Sequence, residues 1–219
     1  MRARAMLLAA VLFLAGCQTF TLEGTPPGVL RGELAVVWVG EDSFVYVGGP
    51  GGLSFRTSDG KLIKPEMIYT DGGSIPRPVR ALDGFSPWGF APAYIIHDWL
   101  FIQRHCNPDY LDKLNITFED SARILAEVIK TLIETNQVRP NETAFSAISW
   151  AVSTSIARDL WEAPNRCFPV TPVHRARVAA ALRQEPVLAR MRSTGTLDAR
   201  SRAIQTGQAQ VVVRRSYGP

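Results

Sequence analysis

Two short segments of the chain carry the residue types that metal-assisted hydrolysis needs. Residues 71–76 read Asp-Gly-Gly-Ser-Ile-Pro, a carboxylate on a glycine turn, and residues 96–99 read Ile-His-Asp-Trp. Adjacent residues of a helix project about 100° apart, so His97 and Asp98 can serve two different centres. Asp71 and Asp98 together offer oxygen ligands to a hard cation such as calcium, which leaves His97 free to act as a base. This pattern predicts a calcium-assisted hydrolase.

A third carboxylate, Asp120, lies on the helix predicted to follow and suits the role of orienting His97. When water is the nucleophile, a neutral imidazole accepts its proton, a carboxylate fixes the imidazole tautomer, and a metal ion stabilises the oxyanion. The sequence also permits a structural interpretation of each residue. The spacing of Thr117 and Asp120 is typical of a capping box, Asp71 suits a turn before glycine, and His97 suits an apolar helix core.

These residues resemble the motifs of two known groups of proteins. Residues 30–165 resemble most closely the bacterial and phage domain-of-unknown-function family 1353, whose hallmark is Asp-Gly-x-Ser-Ile-Pro followed by an Ile-His-Asp helix. A more remote similarity joins the chain to the bacterial secreted phospholipases A2. The segments that carry these similarities are Asp71-Gly72-x-Ser74, Trp88-Gly89-Phe90, His97-Asp98 and Asp120-Ser121-Ala122.

The resemblance to the phospholipases implies a role for each matching residue. His97 would be the general base and Asp120 its orienting partner. Calcium would be held by the Asp71 side chain, the Gly72 carbonyl and the Asp98 side chain. The implied substrate class is a phospholipid ester.

The N-terminus resembles a bacterial lipoprotein signal. Arg2 and Arg4 precede an apolar run over residues 6–14, which is too short to span a bilayer comfortably. Residues 14–17, Leu-Ala-Gly-Cys, resemble a lipobox. We therefore expect residues 1–16 to be removed as a signal peptide.

Cys17 would then become the lipidated first residue of the mature chain. Acyl chains such as palmitate anchor a protein because each buried methylene contributes about 0.8 kcal/mol. Gln18 follows, and by resemblance to enterobacterial sorting it favours the outer membrane and a periplasm-facing domain. Besides Cys17, the mature chain would contain two cysteines, Cys106 and Cys167. An oxidising periplasm permits them to pair, and two free buried thiols are the alternative.

Charge is unevenly distributed along the chain. The whole chain carries a formal charge of +4, and residues 171–219 contain nine arginines against two acidic residues. This basic segment is predicted either to contact anionic lipid or lipopolysaccharide, or to be a solvated, poorly ordered tail. Because the protein is expected to be exported, the basic composition does not indicate nucleic acid as a partner.

The pattern of apolar residues predicts a single α+β domain. A linker over 17–29 would precede a domain over 30–170, followed by a basic, partly helical or disordered tail over 171–219. Three or four antiparallel strands are expected over 33–69, then a three-helix, phospholipase-A2-like region. The predicted helices span 92–104, 117–135 and 141–161, with a further helical piece over 175–184.

Two functions fit these observations. The first is an outer-membrane-anchored lipoprotein with a calcium-assisted His/Asp site that hydrolyses phospholipid esters. The alternative is a non-catalytic envelope lipoprotein that acts as a binding or structural module.

Overall fold

The computed structural model describes residues 20–40, 43–71, 89–193 and 209–218 of the 219-residue chain. The strands are β1 (Val29–Gly40), β2 (Ser43–Tyr46), β3 (Ser54–Arg56), β4 (Leu62–Ile63), β5 (Ile68–Thr70) and β6 (Gln210–Tyr217). The helices are α1 (Ala91–Cys106), α2 (Pro108–Leu114), α3 (Phe118–Glu134), α4 (Glu142–Ala151), α5 (Ser155–Glu162) and α6 (Pro172–Ser193). The predicted α+β class is confirmed. Within these ranges the sheet has six strands instead of three or four, and there are six helices instead of three.

Strand β1 is the centre of an antiparallel sheet. It pairs with β2 and β3 at its two ends and with β6 along its middle, while β5 adds to β2 and β4 adds to β3. The chain between β2 and β3 comes very close to β1. A Cβ placed on Gly32, whose φ is +96°, would lie 2.1 Å from the Gly52 carbonyl oxygen. Only glycine fits at position 32, for reasons of both backbone conformation and space.

The sheet is covered on both faces. Leu34 and Val36 of β1 belong to the main core, which also contains the buried residues of α1 and α3. Val37 and Val39 belong to a second core with Val178 of α6. Since successive strand residues point to opposite faces, the apolar run over 34–39 is covered on both faces of the sheet, and within it Trp38 alone is half-buried.

The predicted end of the domain at residue 170 is too early. Residues 210–217 form strand β6, which pairs with β1 from Gly32 to Trp38, and Arg214 forms an ion pair with Glu33. The predicted helical piece over 175–184 lies inside α6. The tail was predicted from the basic composition of this segment alone. Its β-branched residues over 211–213 instead form a strand that adds to the edge of β1.

Capping residues determine where helices α3 and α5 begin. Helix α3 begins after Thr117 with the predicted capping box, in which Thr117 accepts from the backbone of Asp120. The helix predicted over 141–161 is interrupted between α4 and α5, because Thr154 caps a new helix by accepting from the Ala157 backbone N–H. Helix α2 was not predicted, and it starts with Pro108 in its first turn.

Cys106, the final residue of α1, forms a disulfide with Cys167, one of the two alternatives that the sequence left open. The bond ties the end of α1 to the segment between α5 and α6. Among the described helices, none combines the length and the apolar composition that a bilayer crossing requires.

Candidate functional site

Helix α1 places the two central residues of the predicted site. It contacts α3, α5 and β5, and most of its residues, such as Ile95, Ile96 and Leu100, are buried. His97 and Asp98 retain partial exposure between these buried positions. Because neighbouring helix residues project in different directions, the two side chains meet different surroundings.

Asp98 lies against the end of strand β5. The Thr70 hydroxyl, at the last position of β5, donates a hydrogen bond to Asp98 Oδ2 at 3.1 Å. Burial and then the negative charge of Asp71 raise the pKa of Asp98, the hydrogen bond from Thr70 partly opposes them, and the resulting pKa is about 7. The structure therefore brings the two predicted calcium-binding carboxylates, Asp71 and Asp98, within electrostatic reach of each other.

Tyr94 adds an oxygen to the same region. It lies one helical turn before Asp98, so the two side chains are neighbours on α1. Its hydroxyl is buried and has no hydrogen-bond partner among the described residues. Burial first, and then the charge of Asp98, raise its pKa. Neither Tyr94 nor Thr70 was predicted from the sequence. Tyr94 lies four residues before Asp98, and Thr70 lies one residue before Asp71. These spacings were the signals that the sequence offered.

This donor set fits a hard cation. Calcium takes six to eight oxygen ligands, mostly from carboxylates, carbonyls and water. Asp71 and Asp98 provide two carboxylates whose mutual repulsion a cation relieves, and this repulsion adds to burial in raising the pKa of Asp98. Within the described ranges no group of three or more His, Cys, Asp or Glu side chains is arranged to hold a metal. Carbonyls and water would supply the remaining ligands. Gly72, whose carbonyl was predicted to be one of them, lies outside the described residues.

His97 lies on an aromatic flank of α1. Its ring packs against Phe101 with the ring centroids 4.6 Å apart, and Phe101 in turn contacts Trp161 of α5. Although the residue as a whole is partly exposed, its Nε2 atom is buried and has no hydrogen-bond partner among the described residues. Burial lowers the pKa of His97 to about 4. The imidazole is therefore neutral at pH 7.

Asp120 has the capping role that was one of its two interpretations. Its Oδ2 accepts from the Thr117 backbone N–H at 3.0 Å, and its Oδ1 accepts from Arg123 Nη2 at 2.8 Å. Burial opposes its ionisation, but these hydrogen bonds outweigh burial and the pKa of Asp120 is lowered. No hydrogen bond within the described part of the chain joins Asp120 to His97. The structure thus places Asp98 within electrostatic reach of Asp71, and it commits Asp120 to the cap of α3.

A second group of charged residues, on α3, shows how this protein balances a buried acid. Glu127 is fully buried and accepts from the backbone N–H and the hydroxyl of Ser58, both at 2.9 Å. It also forms an ion pair with Arg123, which reaches Asp59 and Asp120 as well. We call these residues the α3 network.

Cys17 lies outside the described residues, so its lipidation remains a prediction. No family model, curated protein or solved structure matches the chain.

Proposed function

We propose that this protein is a membrane-anchored envelope lipoprotein that binds a hard divalent cation, calcium by its ligand chemistry, between Asp71 and Asp98. The observation that carries the proposal is the place of Asp98 at the end of β5, where the Thr70 hydroxyl donates to its Oδ2 at 3.1 Å and Asp71 lies within electrostatic reach. Burial and the charge of Asp71 both disfavour the ionised form of Asp98, and a divalent cation relieves both penalties. The lipobox ending at Cys17 supports the anchor, which would place the domain at the outer membrane facing the periplasm.

Each of the described residues near such a site would have its own role. Asp71 and Asp98 would bind the cation, and the Thr70 hydroxyl fixes the orientation of the Asp98 carboxylate. When bound, the cation supplies positive charge that joins the end of β5 to the middle of α1. Tyr94 offers its buried hydroxyl to a ligand or water at the same place. This arrangement supports the binding-module function without any proton transfer.

A calcium-assisted ester hydrolase is the second candidate. It is favoured by the neutral state of His97, which follows Ile96 and precedes Asp98 on the same helix. A neutral imidazole accepts a proton from an attacking water, and the cation supplies Lewis acidity at the ester carbonyl. The capping role of Asp120 weighs against this candidate, because the orienting carboxylate is committed to Thr117 and Arg123. We therefore place the binding module first.

Calcium titration of the full chain tests the cation site. A ligand that binds only the native state stabilises by about 2.7 kcal/mol at 100 times its dissociation constant, which thermal denaturation detects. We expect this stabilisation in the parent protein and its loss in Asp71→Asn and Asp98→Asn. Asp112→Asn, which neutralises an exposed carboxylate of α2, is the matched control and keeps the effect. Equal stabilisation of all four proteins would refute the site.

Release of fatty acid from mixed phospholipid micelles separates the two candidates. Turnover that requires calcium and disappears in a folded His97→Gln variant would establish the hydrolase. Calcium binding without turnover would establish the binding module. Asp120→Asn adds a control, since a residue that only caps α3 changes stability and leaves any turnover in place.

A further inference from the structure

Helix α5 exposes two large aliphatic side chains on one flank. Ile156 is 72% exposed and Leu160 is 39% exposed, and they lie one turn apart. The residues that follow each of them, Ala157 and Trp161, are buried. The helix is therefore fixed to the core through one stripe and presents the adjacent apolar stripe to the outside.

A third exposed apolar residue belongs to the same corner of the molecule. A ring nitrogen of His105, near the end of α1, lies 3.1 Å from the Leu160 carbonyl oxygen. The next residue, Cys106, is bonded to Cys167, and the Cα atoms of the two cysteines are 4.9 Å apart. Phe168 follows Cys167 directly and is 64% exposed. The hydrogen bond and the disulfide thus hold Leu160 and Phe168 near the end of α1.

Two exposed arginines lie at this corner. Arg104 and Arg166 are exposed, and both act on His105: burial first, and then these two charges, lower its pKa. Arg158 of α5 forms a close ion pair with Glu119 and lies 3.9 Å from Glu162. Asp159 is the remaining carboxylate of α5.

We propose that Ile156, Leu160 and Phe168, together with Arg104 and Arg166, form a surface that rests on an anionic lipid bilayer. We call it the corner surface. Bulky apolar side chains beside arginines match the boundary between acyl chains and negatively charged headgroups. Charge complementarity thus selects a lipid surface over a second copy of this chain, which would bring the same arginines together. The corner surface requires neither the cation site nor lipidation of Cys17.

The test compares variants of the full chain by sedimentation with vesicles. One set of vesicles is pure phosphatidylcholine, and the other contains phosphatidylglycerol in addition. Each arginine near an anionic surface contributes a factor of about five in binding, so Arg104→Gln and Arg166→Gln should each lose about fivefold on the anionic vesicles only. Leu160→Ser and Phe168→Ser should weaken binding to both sets of vesicles.

Matched controls remove exposed residues elsewhere. Arg139→Gln removes a charge between α3 and α4, and Val29→Ser removes an apolar side chain that is 48% exposed at the start of β1. All variants keep the same N-terminus. The ratio of vesicle binding between each variant and the parent protein therefore reports on the corner surface alone. A Leu160→Trp variant gives a direct readout, because brominated acyl chains should quench its added fluorescence. They should not quench that of Val29→Trp.

Three results would overturn the proposal. The first is an equal loss of binding in the control variants, and the second is binding that does not respond to phosphatidylglycerol. The third is protein that self-associates through Leu160 and Phe168 without vesicles, which would assign the surface to a second copy. The substituted side chains are exposed, and circular dichroism of each variant confirms that its fold is retained.

Discussion

Glu127 and Asp98 are acidic side chains on neighbouring helices of one core, but the protein balances them differently. Glu127 has a guanidinium partner in Arg123 and two donors from Ser58. Asp98 has the hydroxyl of Thr70, and Asp71 adds a second negative charge. The α3 network thus contains its own countercharge. At Asp98, burial and the charge of Asp71 both disfavour the ionised carboxylate, and the hydroxyl of Thr70 opposes them only in part. This difference separates a structural cluster from the cation site that we propose.

Removing the internal countercharge should have the largest effect. Arg123→Met leaves Glu127 buried without its cation, and breaking a buried ion pair costs about 3 kcal/mol or more. Urea denaturation measures the loss. The double variant Arg123→Met/Glu127→Gln should recover part of it, because no ionised group is then left buried. Loss of an exposed ion pair such as Lys130–Glu134 would lower the free energy of unfolding only slightly. If Arg123→Met alone lowers it by no more than that, the α3 network does not stabilise the fold.

Removing one charge from the carboxylate pair should act in the opposite direction. In cation-free protein at pH 8, Asp98→Asn should raise the free energy of unfolding by about 2 kcal/mol, discounted for the partial exposure of Asp98. A carboxyl group whose pKa is raised by folding destabilises the native state above that pKa. The penalty shrinks as the pH falls from about 7 and vanishes below the unfolded value, 3.8.

The gain should therefore disappear in denaturation curves recorded below pH 4. Asp112→Asn serves again as the control and should change stability little at either pH. A destabilised Asp98→Asn protein at pH 8 would show that the carboxylate is already balanced within the fold.

Calcium affinity should depend on pH in the same range. Protonated Asp98 does not bind a cation, and burial and Asp71 together raise its pKa to about 7. Between pH 8 and pH 6 the apparent affinity should fall about tenfold, which isothermal titration calorimetry measures. The Arg123→Met variant should show the same fall if it folds, since the α3 network is separate from the site. An affinity that is constant across this range would remove Asp98 from the ligand set.

The smallest effect is expected at the cap of α3. Thr117→Ala removes the side chain that accepts from the Asp120 backbone, at a cost of about 1 kcal/mol. Thermal denaturation measures the loss, and calcium binding should not change. If calcium binding weakened with the cap, Asp120 would be coupled to the cation site after all.

The sequence predicted the elements that local patterns specify. Helix α3 begins at its predicted capping residue, Thr117, and the strand-like region ends with β5. Strand β6 was missed because its pairing with β1 joins distant parts of the chain, and local charge suggested a tail instead. One signal was present: the continuous apolar run over 34–39 is typical of a strand with both faces covered. The predicted helices α1 and α3 cover one face, and α6 covers the other.

The sequence predicted only part of the candidate site, because local patterns reveal some of its residues and not others. Asp71 and Asp98 stood out as chemically distinctive residues near glycine and histidine. The contribution of Thr70 and Tyr94 depends on how α1 packs against β5, which no local pattern encodes. Asp120 had two interpretations in the sequence, and the hydrogen bonds of Thr117 and Arg123 give it the capping role.

The pairing of β6 with β1 also has a consequence for how the chain folds during synthesis. Glu33 and Arg214, which form an ion pair across these strands, are 181 positions apart. At ribosomal rates of elongation, one edge of β1 waits on the order of ten seconds for its partner to be made. An open edge rich in valine invites pairing with other chains. A nascent chain of this protein therefore gains from being held unfolded until β6 has emerged.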